Sequence, residues 1–457
     1  MPFEFDKPGK VEVKSLVLIT GQGHAIDVSG LVPEISIYQD IGVPFLKCNL
    51  ILDDATSIFN TLEDAGAGFN GQELLYIRYT TRLPQDQKKT DKTHLFILYD
   101  IEQRVRKEEK SEVYVIEGIS VEGYISLDKK ISRAYGRNGS GTTISNMIES
   151  ITKEFLYNKA AQGVYSTVQK ITSNLVVKNN TFEPTESLLR YIATNCGPIE
   201  LIQRLLRECD NKVGYPMYVF YEDTEGFKLS DFSKFVERDA VDTFWYQPSN
   251  YSEGGTRRDL IDLKKIMEYT VVKETNMMQN ISGGLFGSRT INIDVLRKNK
   301  SEIHYDYGKS SPRFKKLNDR IVVPGNELGG IDSTVAMFTT RAGHDTHDLL
   351  KWERHRPYKS PGLAAQSKSY MLHLSNIEME VTLHGNSDLK VGDKINLILP
   401  QATTISEKES TPLDKYLSGY YLITALRHQI KDDTMLSIVA CIKDTLGSAT
   451  STSGFKG

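Results

Sequence analysis

Cysteine is scarce in this chain of 457 residues: Cys48, Cys196, Cys209 and Cys441 form no CxxC pair and have no histidine at zinc spacing. A disulfide framework and a structural zinc site are thereby excluded, and four reduced, mostly buried thiols are expected. Long apolar runs are missing too. Nothing approaches the ~18 consecutive apolar residues of a membrane span, and the opening MPFEFDKPGKVEVKSLVLITGQGH mixes charge into its apolar residues, so no membrane or export step is expected. Excess positive charge is also lacking: Lys and Arg number 56 against 59 Asp and Glu, a formal net charge of -3. Sequence-specific DNA binding, which needs a field that gathers phosphates, is therefore not expected. No GxSxG nucleophile elbow occurs, and no catalytic triad can be proposed from spacing.

What is present is an ordinary globular composition, 39% apolar and 25% charged. The length exceeds what one core sustains and points to roughly three compact units. Residues 11 to 125 alternate apolar and polar residues in VEVKSLVLIT, EISIYQD, FLKCNLILDD, LLYIRYT, HLFILYDIEQRV and EVYVIEGISVEGY, a strand pattern interrupted by the helical SIFNTLEDA. Helical spacing begins behind Thr142 and Thr143, with Ile144, Met147, Ile148, Ile151 and Phe155 on one face. A second helix is read through ESLLRYIATN, interrupted at Gly197-Pro198 and continued by ELIQRLLREC; the hairpin YPMYVFYEDTEGFKLSDF follows. Residues 246 to 369 are polar and irregular. Order returns in the helix GLAAQSKSYMLHLSN and the strands EMEVTLHG, DKINLILP, GYYLITALRHQI and MLSIVACIKD, before a Ser, Thr and Gly tail expected to be flexible.

One cassette occurs twice. GQELLYIRY, a polar connection, HLFILYDIEQRV, a charged turn and EVYVIEGI are matched by GDKINLIL, a polar connection, GYYLITALRHQI, the turn KDD and MLSIVACI. Alternation alone is common to any two hairpins, so the added weight comes from the glycine-led strand before each. The cassette predicts two similar barrels in one chain.

Other motifs read as structure. His344, Asp345, His347 and Asp348 lack a third ligand at metal spacing and read as a polar helix start. Gly308-Lys309-Ser310 has Ile303 where a phosphate loop needs glycine, which makes it a surface turn. Gly21-Gln22-Gly23 is a turn without the third glycine of a dinucleotide site, and Gly136 to Gly141 leads into a helix cap. KKLNDR and Arg257-Arg258 sit among acids and read as solvated surface. No catalytic, cofactor-binding or metal residues are assigned, and no cofactor is called for.

Two stretches resemble the baseplate hub family of contractile phage tails, related to the N-terminal part of type VI secretion spike proteins: ELIQRLLRECDNKVGYPMYVFYEDTEGFKLSDF, and EMEVTLHGNSDLKVGDKINLILP with GYYLITALRHQI. A third, MMQNISGGLFGSRTINIDVLRKNKSEIHYDY, resembles the family's insertion. The resemblance implies a β-rich α+β chain: a first antiparallel β-barrel tube domain at 1–130, a helical α/β domain at 131–212, a second barrel from 213–245 and 370–445, an elaborated insertion at 246–369 and a tail at 446–457. It further implies a non-enzymatic homotrimer in the virion tail baseplate, made in the host cytoplasm, forming a pseudo-six-fold ring between tail tube protein and central spike protein. Other baseplate components would surround it, and DNA would pass through its channel. The rival expectations are the hub of a phage-derived contractile injection system, a tail-tip protein of a non-contractile phage, and a tail-associated cell-wall hydrolase.

Overall fold

A computed structural model of the chain describes residues 8–21, 23–55, 69–81, 90–108, 111–136, 141–172, 178–186, 188–211, 217–246, 263–294, 298–310, 315–318, 334–339, 360–401 and 413–445. A first strand set comprises β1 (Val11–Ile19), β2 (Ala25–Asp27), β3 (Glu34–Asp40), β4 (Lys47–Asp54), β5 (Glu73–Thr81), β6 (Thr90–Glu108) and β7 (Ser111–Ser120). A mixed segment follows: α1 (Val121–Leu127), β8 (Ile131–Tyr135), β9 (Thr142–Thr143), α2 (Ile144–Ile151) running into a π-turn at Thr152–Leu156, and α3 (Lys159–Thr172). It continues with β10 (Thr181–Phe182), β11 (Leu188–Leu189), β12 (Tyr191–Cys196), α4 (Pro198–Leu206), the hairpin β13 (Tyr218–Asp223) and β14 (Gly226–Asp231), and α5 (Phe232–Glu237). The second set opens with β15 (Asp242–Tyr246) and β16 (Lys265–Lys273). After α6 (Met277–Gly283), β17 (Gly287–Asp294), β18 (Asn299–Asp306), α7 (Tyr307–Ser310), β19 (Thr334–Thr339) and α8 (Ser360–Leu374), it resumes with β20 (Ile377–His384), β21 (Lys394–Ile398), β22 (Gly419–Lys431) and β23 (Thr434–Lys443).

Thirteen strands form one sheet in the order β2-β1-β5-β6-β7-β4-β3-β22-β21-β15-β16-β20-β23. Because β22 also pairs with β23, the last six close into a ring. The two sets share their wiring. In the first, β3 pairs with β4, β4 with β7, β7 with β6, β6 with β5 and β5 with β1. In the second, β16 pairs with β20, β20 with β23, β23 with β22, β22 with β21 and β21 with β15. The cassette read twice in the sequence is thus a meander that recurs, β5 to β7 and β21 to β23.

The sets differ in the direction of one strand, β1 being antiparallel to β5 where β15 is parallel to β21, and in how their ends are joined. In the second, β15 pairs with β16 and completes the ring. In the first, β3 pairs with β22 instead of β1, in register from Glu34↔Lys431 to Asp40↔Ala425. The start of β1 meets the tip of the β22–β23 hairpin: Val11 N–H donates to the Asp433 carbonyl at 2.8 Å and Met435 N–H to the Gly9 carbonyl at 2.7 Å. Ile430 and Met435 accordingly sit in the first set's core with Leu18, Ile37, Leu50, Leu75 and Phe96. The other core packs ring residues such as Val381, Leu397, Leu422 and Val439 against Phe235, Tyr370 and Leu374 of the flanking helices.

Local chemistry explains the joints. Gly71 and Gly392, which open the two copies of the cassette, both take left-handed φ, +72° and +85°. A nearby carboxylate fastens each turn: Glu73 accepts Asn70 N–H (2.7 Å), and Asp393 accepts Lys390 N–H (2.9 Å). Thr143 caps α2 through Asn146 N–H, and Pro198 stands in the first turn of α4.

The structure corrects several expectations. The ring is not wholly antiparallel, since β15 runs parallel to both β16 and β21. Of ESLLRYIATN, residues 188–195 are not helical and form β11 and most of β12; β12 pairs with β8, the β-forming Tyr191, Ile192 and Thr194 prevail, and left-handed Asn195 sits where the pairing shifts register before Cys196. EVYVIEGISVEGY leaves the sheet at Ser120, and Val121–Leu127 is helical. The stretch read as irregular supplies β16 to the ring, and α3 had no reading. SIFNTLEDA and the Ser, Thr and Gly tail lie outside the described residues.

A Cβ at residue 392 would fall 2.8 Å from Phe235 Cε1 on a left-handed backbone, whereas one at Gly21 meets nothing within 4 Å. Gly392→Ala is expected to lower unfolding free energy in urea by about 1–3 kcal/mol, with Gly21→Ala near zero as the control.

Candidate functional site

The most concentrated polar chemistry lies where the first strand set meets the mixed segment. Glu122 starts α1 directly after β7, Tyr165 projects from α3, Glu222 comes from β13, and Lys178 stands between α3 and β10. Lys178 Nζ lies 3.2 Å from Glu122 Oε2 and in contact with Glu222 Oε1. Both glutamate side chains are wholly buried, and the lysine is 10% exposed. Tyr165 OH donates to Glu122 at 3.0 Å, and Leu46 N–H donates to Glu222 Oε2 at 3.0 Å. The ammonium lies 5.9 Å from the Tyr165 ring centre and 5.7 Å from that of Phe227.

Burial alone would discharge Lys178, but the two carboxylates outweigh it and hold its pKa well above an ordinary lysine's. The same burial raises Glu222, against the pull of Lys178. A cavity of about 20 Å³, roughly one water's room, adjoins the group and is lined by Ser120, Lys178, Glu222, Thr224 and His94 among others. This geometry clamps chain segments together.

His94 faces the same cavity, stacked between Tyr79 and Phe96 with ring centres 5.8 Å apart on each side. Burial, helped by the charges of His428, Lys178 and Lys92, pushes its pKa down to about 3. His428 on β22, whose Nδ1 is 3.1 Å from Ser437 Oγ, is pushed by burial to about 4. Around them the sets are tied by Thr81 Oγ1 to Ser387 Oγ at 2.6 Å, and by ion pairs Lys92–Asp388 (2.8 Å) and Arg427–Glu34 (3.3 Å). A second cavity of about 20 Å³ lies under α6 and α8, lined by Asn280, Tyr307, His373, Asn376 and Asp444 among others.

The motifs weighed in the sequence do not converge here. His344, Asp345, His347, Asp348 and Arg257-Arg258 lie outside the described residues, as does Gln22 of the Gly21 to Gly23 turn and 137–140 of the Gly136 to Gly141 lead. Gly308-Lys309-Ser310 belongs to the short helix α7, fastened by Asp306 Oδ1 accepting Gly308 N–H at 2.8 Å. Of KKLNDR, 315–318 are described; Leu317 N–H donates to Asp444 at 2.6 Å. All four cysteines are free and buried. Sequence reasoning missed Glu122, Lys178 and Glu222, which stand 56 and 44 residues apart. The available signal was an acid set in an otherwise apolar segment, alone in GISVEGYISL and beside Asp223 at the end of MYVFYED.

The chain is β-rich with a closed six-strand ring, and in sequence it resembles a phage baseplate hub protein. It is 22% identical over 377 residues, 74% of this chain and 85% of the other, to the "Probable baseplate hub protein gp334" of Vibrio phage KVP40. No protein-family model matches it. Among solved structures, the tail protein from Neisseria meningitidis MC58 aligns over 94% of this chain and 96% of its own, with 9% identity and a TM-score of 0.47. The 43 kDa tail protein of prophage MuSo2 from Shewanella oneidensis aligns over 94% and 100%, with 10% identity and a TM-score of 0.47. These structural overlaps are long but loose.

Removing the lysine strands two buried carboxylates. Lys178→Met is expected to cost about 3–5 kcal/mol in denaturant unfolding. The histidines set an acid limit: each is neutral when folded and takes a proton near 6.5 when unfolded, so their contribution is complete above pH 6.5 and drains away towards pH 4 and 3. Unfolding free energy should fall by about 1.4 kcal/mol per pH unit for each histidine within that window. His94→Phe, which keeps the stack, should flatten the slope by one histidine's share.

Proposed function

We propose that the chain is a structural hub of a phage tail baseplate that assembles as a homotrimer around a channel. The observation that carries this reading is the wiring shared by two strand sets within one sheet, one of them closed into a six-strand ring. A chain holding two such units lets three copies imitate six, which suits a part standing between a hexameric tail tube and a trimeric spike. The sequence likeness to a hub protein over most of that protein's length supports the same role. On this reading each strand set is a tube domain, the first at 1–130 and the second at 213–245 and 370–445 with β16 added. The mixed segment at 131–212 braces them, the remainder of 246–369 is the insertion, and 446–457 is the tail.

The tube protein meets one face and the spike the other, other baseplate components pack around the ring, and DNA passes without sequence-specific binding. On this reading the chain acts by shape and turns over no external substrate. The place of action is the virion baseplate, after synthesis in the host cytoplasm.

Solution mass with electron microscopy of the purified chain tests this. Three subunits around a pore with six matching lobes are expected; a monomer without a pore would contradict it.

A further inference from the structure

We propose that Lys178 and Glu222 join in an amide bond, formed by the folded chain itself with Glu122 as the catalytic residue. Condensation of an amine with a carboxylic acid in water is ordinarily blocked because both groups are ionised and water competes; the apolar pocket excludes the competing water, and the ion pair, in which the carboxylates hold Lys178 as the ammonium, gives way to amine and acid by one proton transfer within the contact. Here Lys178 Nζ is in contact with Glu222 Oε1, which sets the nitrogen beside the Glu222 carboxyl group, with both side chains buried in the fold. The walls are aromatic: Phe227 stacks on Phe220 with ring centres 5.5 Å apart, Phe45 meets Phe227 edge-on at 6.1 Å, and Tyr165 closes another side.

The second carboxylate is what an ion pair does not need and a condensation does. Glu122 Oε2 lies 3.2 Å from Lys178 Nζ, steadied by Tyr165 OH, and so can receive a proton from nitrogen. The Leu46 N–H, 3.0 Å from Glu222 Oε2, is placed to hold the oxygen that gains charge when nitrogen attacks. Burial also raises the pKa of Glu222, favouring the neutral acid that the amine can attack.

The step balances without any added reagent. A proton passes from the Lys178 ammonium to the Glu222 carboxylate, leaving amine and acid. Nitrogen bonds to Glu222 Cδ while Glu122 takes the N–H proton. Glu122 then returns that proton to the departing hydroxyl, the C–O bond breaks, and one water leaves. The adjoining cavity, with Ser120 and Thr224 in its lining, has room for that water. The product ties the segment before β10 to β13 covalently.

Intact mass spectrometry of the denatured full chain decides the matter. The expected mass is lower than the sequence mass by one water, and a tryptic digest should contain a branched peptide joining Lys178 to Glu222. A mass equal to the sequence mass overturns the proposal, as does a dehydration that maps elsewhere. Glu122→Gln should restore the full mass with an unchanged circular dichroism spectrum; complete cross-linking in that variant would overturn the catalytic role of Glu122. Should Glu122→Gln not fold, Lys178→Arg, which keeps the charge but removes the primary amine, should carry the full mass, and the unaltered chain's mass remains decisive alone.

Discussion

Seven consecutive residue pairs between β3 and β22 hold the architecture together. Had β3 paired with β1, the first strand set would have closed on itself as the second does, leaving two rings joined only by connecting chain. Its exchange of partners makes β22 serve three strands, β21, β23 and β3, along its 13 residues. Such sharing is possible because β22 is long: its first part pairs with β21, its last part with β3, and β23 follows nearly its full length. The same hairpin tip then covers the opening left at β1, and Ile430 and Met435 fill the first core from the far end of the chain. Among the described strands, the large sheet ends only at β2, because β23 is paired back to β22.

The Glu122, Lys178 and Glu222 centre answers a second requirement, fixing the mixed segment against the first strand set. Apolar packing there would be as stable or more so, since desolvating three ionisable groups costs much of what their attraction returns. What the charges contribute is a unique arrangement: Tyr165 reaches Glu122, Leu46 reaches Glu222 and Lys178 reaches both, and any shift of α3 or β13 strands a buried charge. The proposed covalent bond at this point would make that arrangement permanent.

Much of this was readable from the residues because strands alternate with period two. β4, β7 and β23 alternate buried and less buried residues along most of their length. The glycine opening each cassette was also readable, and its reason emerged only in three dimensions: at both Gly71 and Gly392 the chain must turn left-handed before entering a strand. Legibility failed where local preference is balanced. ESLLRYIATN fits helix or strand by apolar spacing, and pairing with β8 decided it. The partner exchange at β3 left no trace in sequence, because the choice between β1 and β22 depends on pairs nearly 400 residues apart, such as Arg427 with Glu34. The buried ionic centre was hidden for the same reason, its members being common residues at unremarkable spacing.

Hydrogen exchange in graded denaturant tests the central claim, that the strand sets are one sheet fused at β3 and β22. The amides of β3, β4, β7, β20, β22 and β23 are predicted to open together at a single unfolding free energy. Exchange of β3 to β7 at distinctly lower denaturant than β20 to β23 would show two independent units and contradict the account.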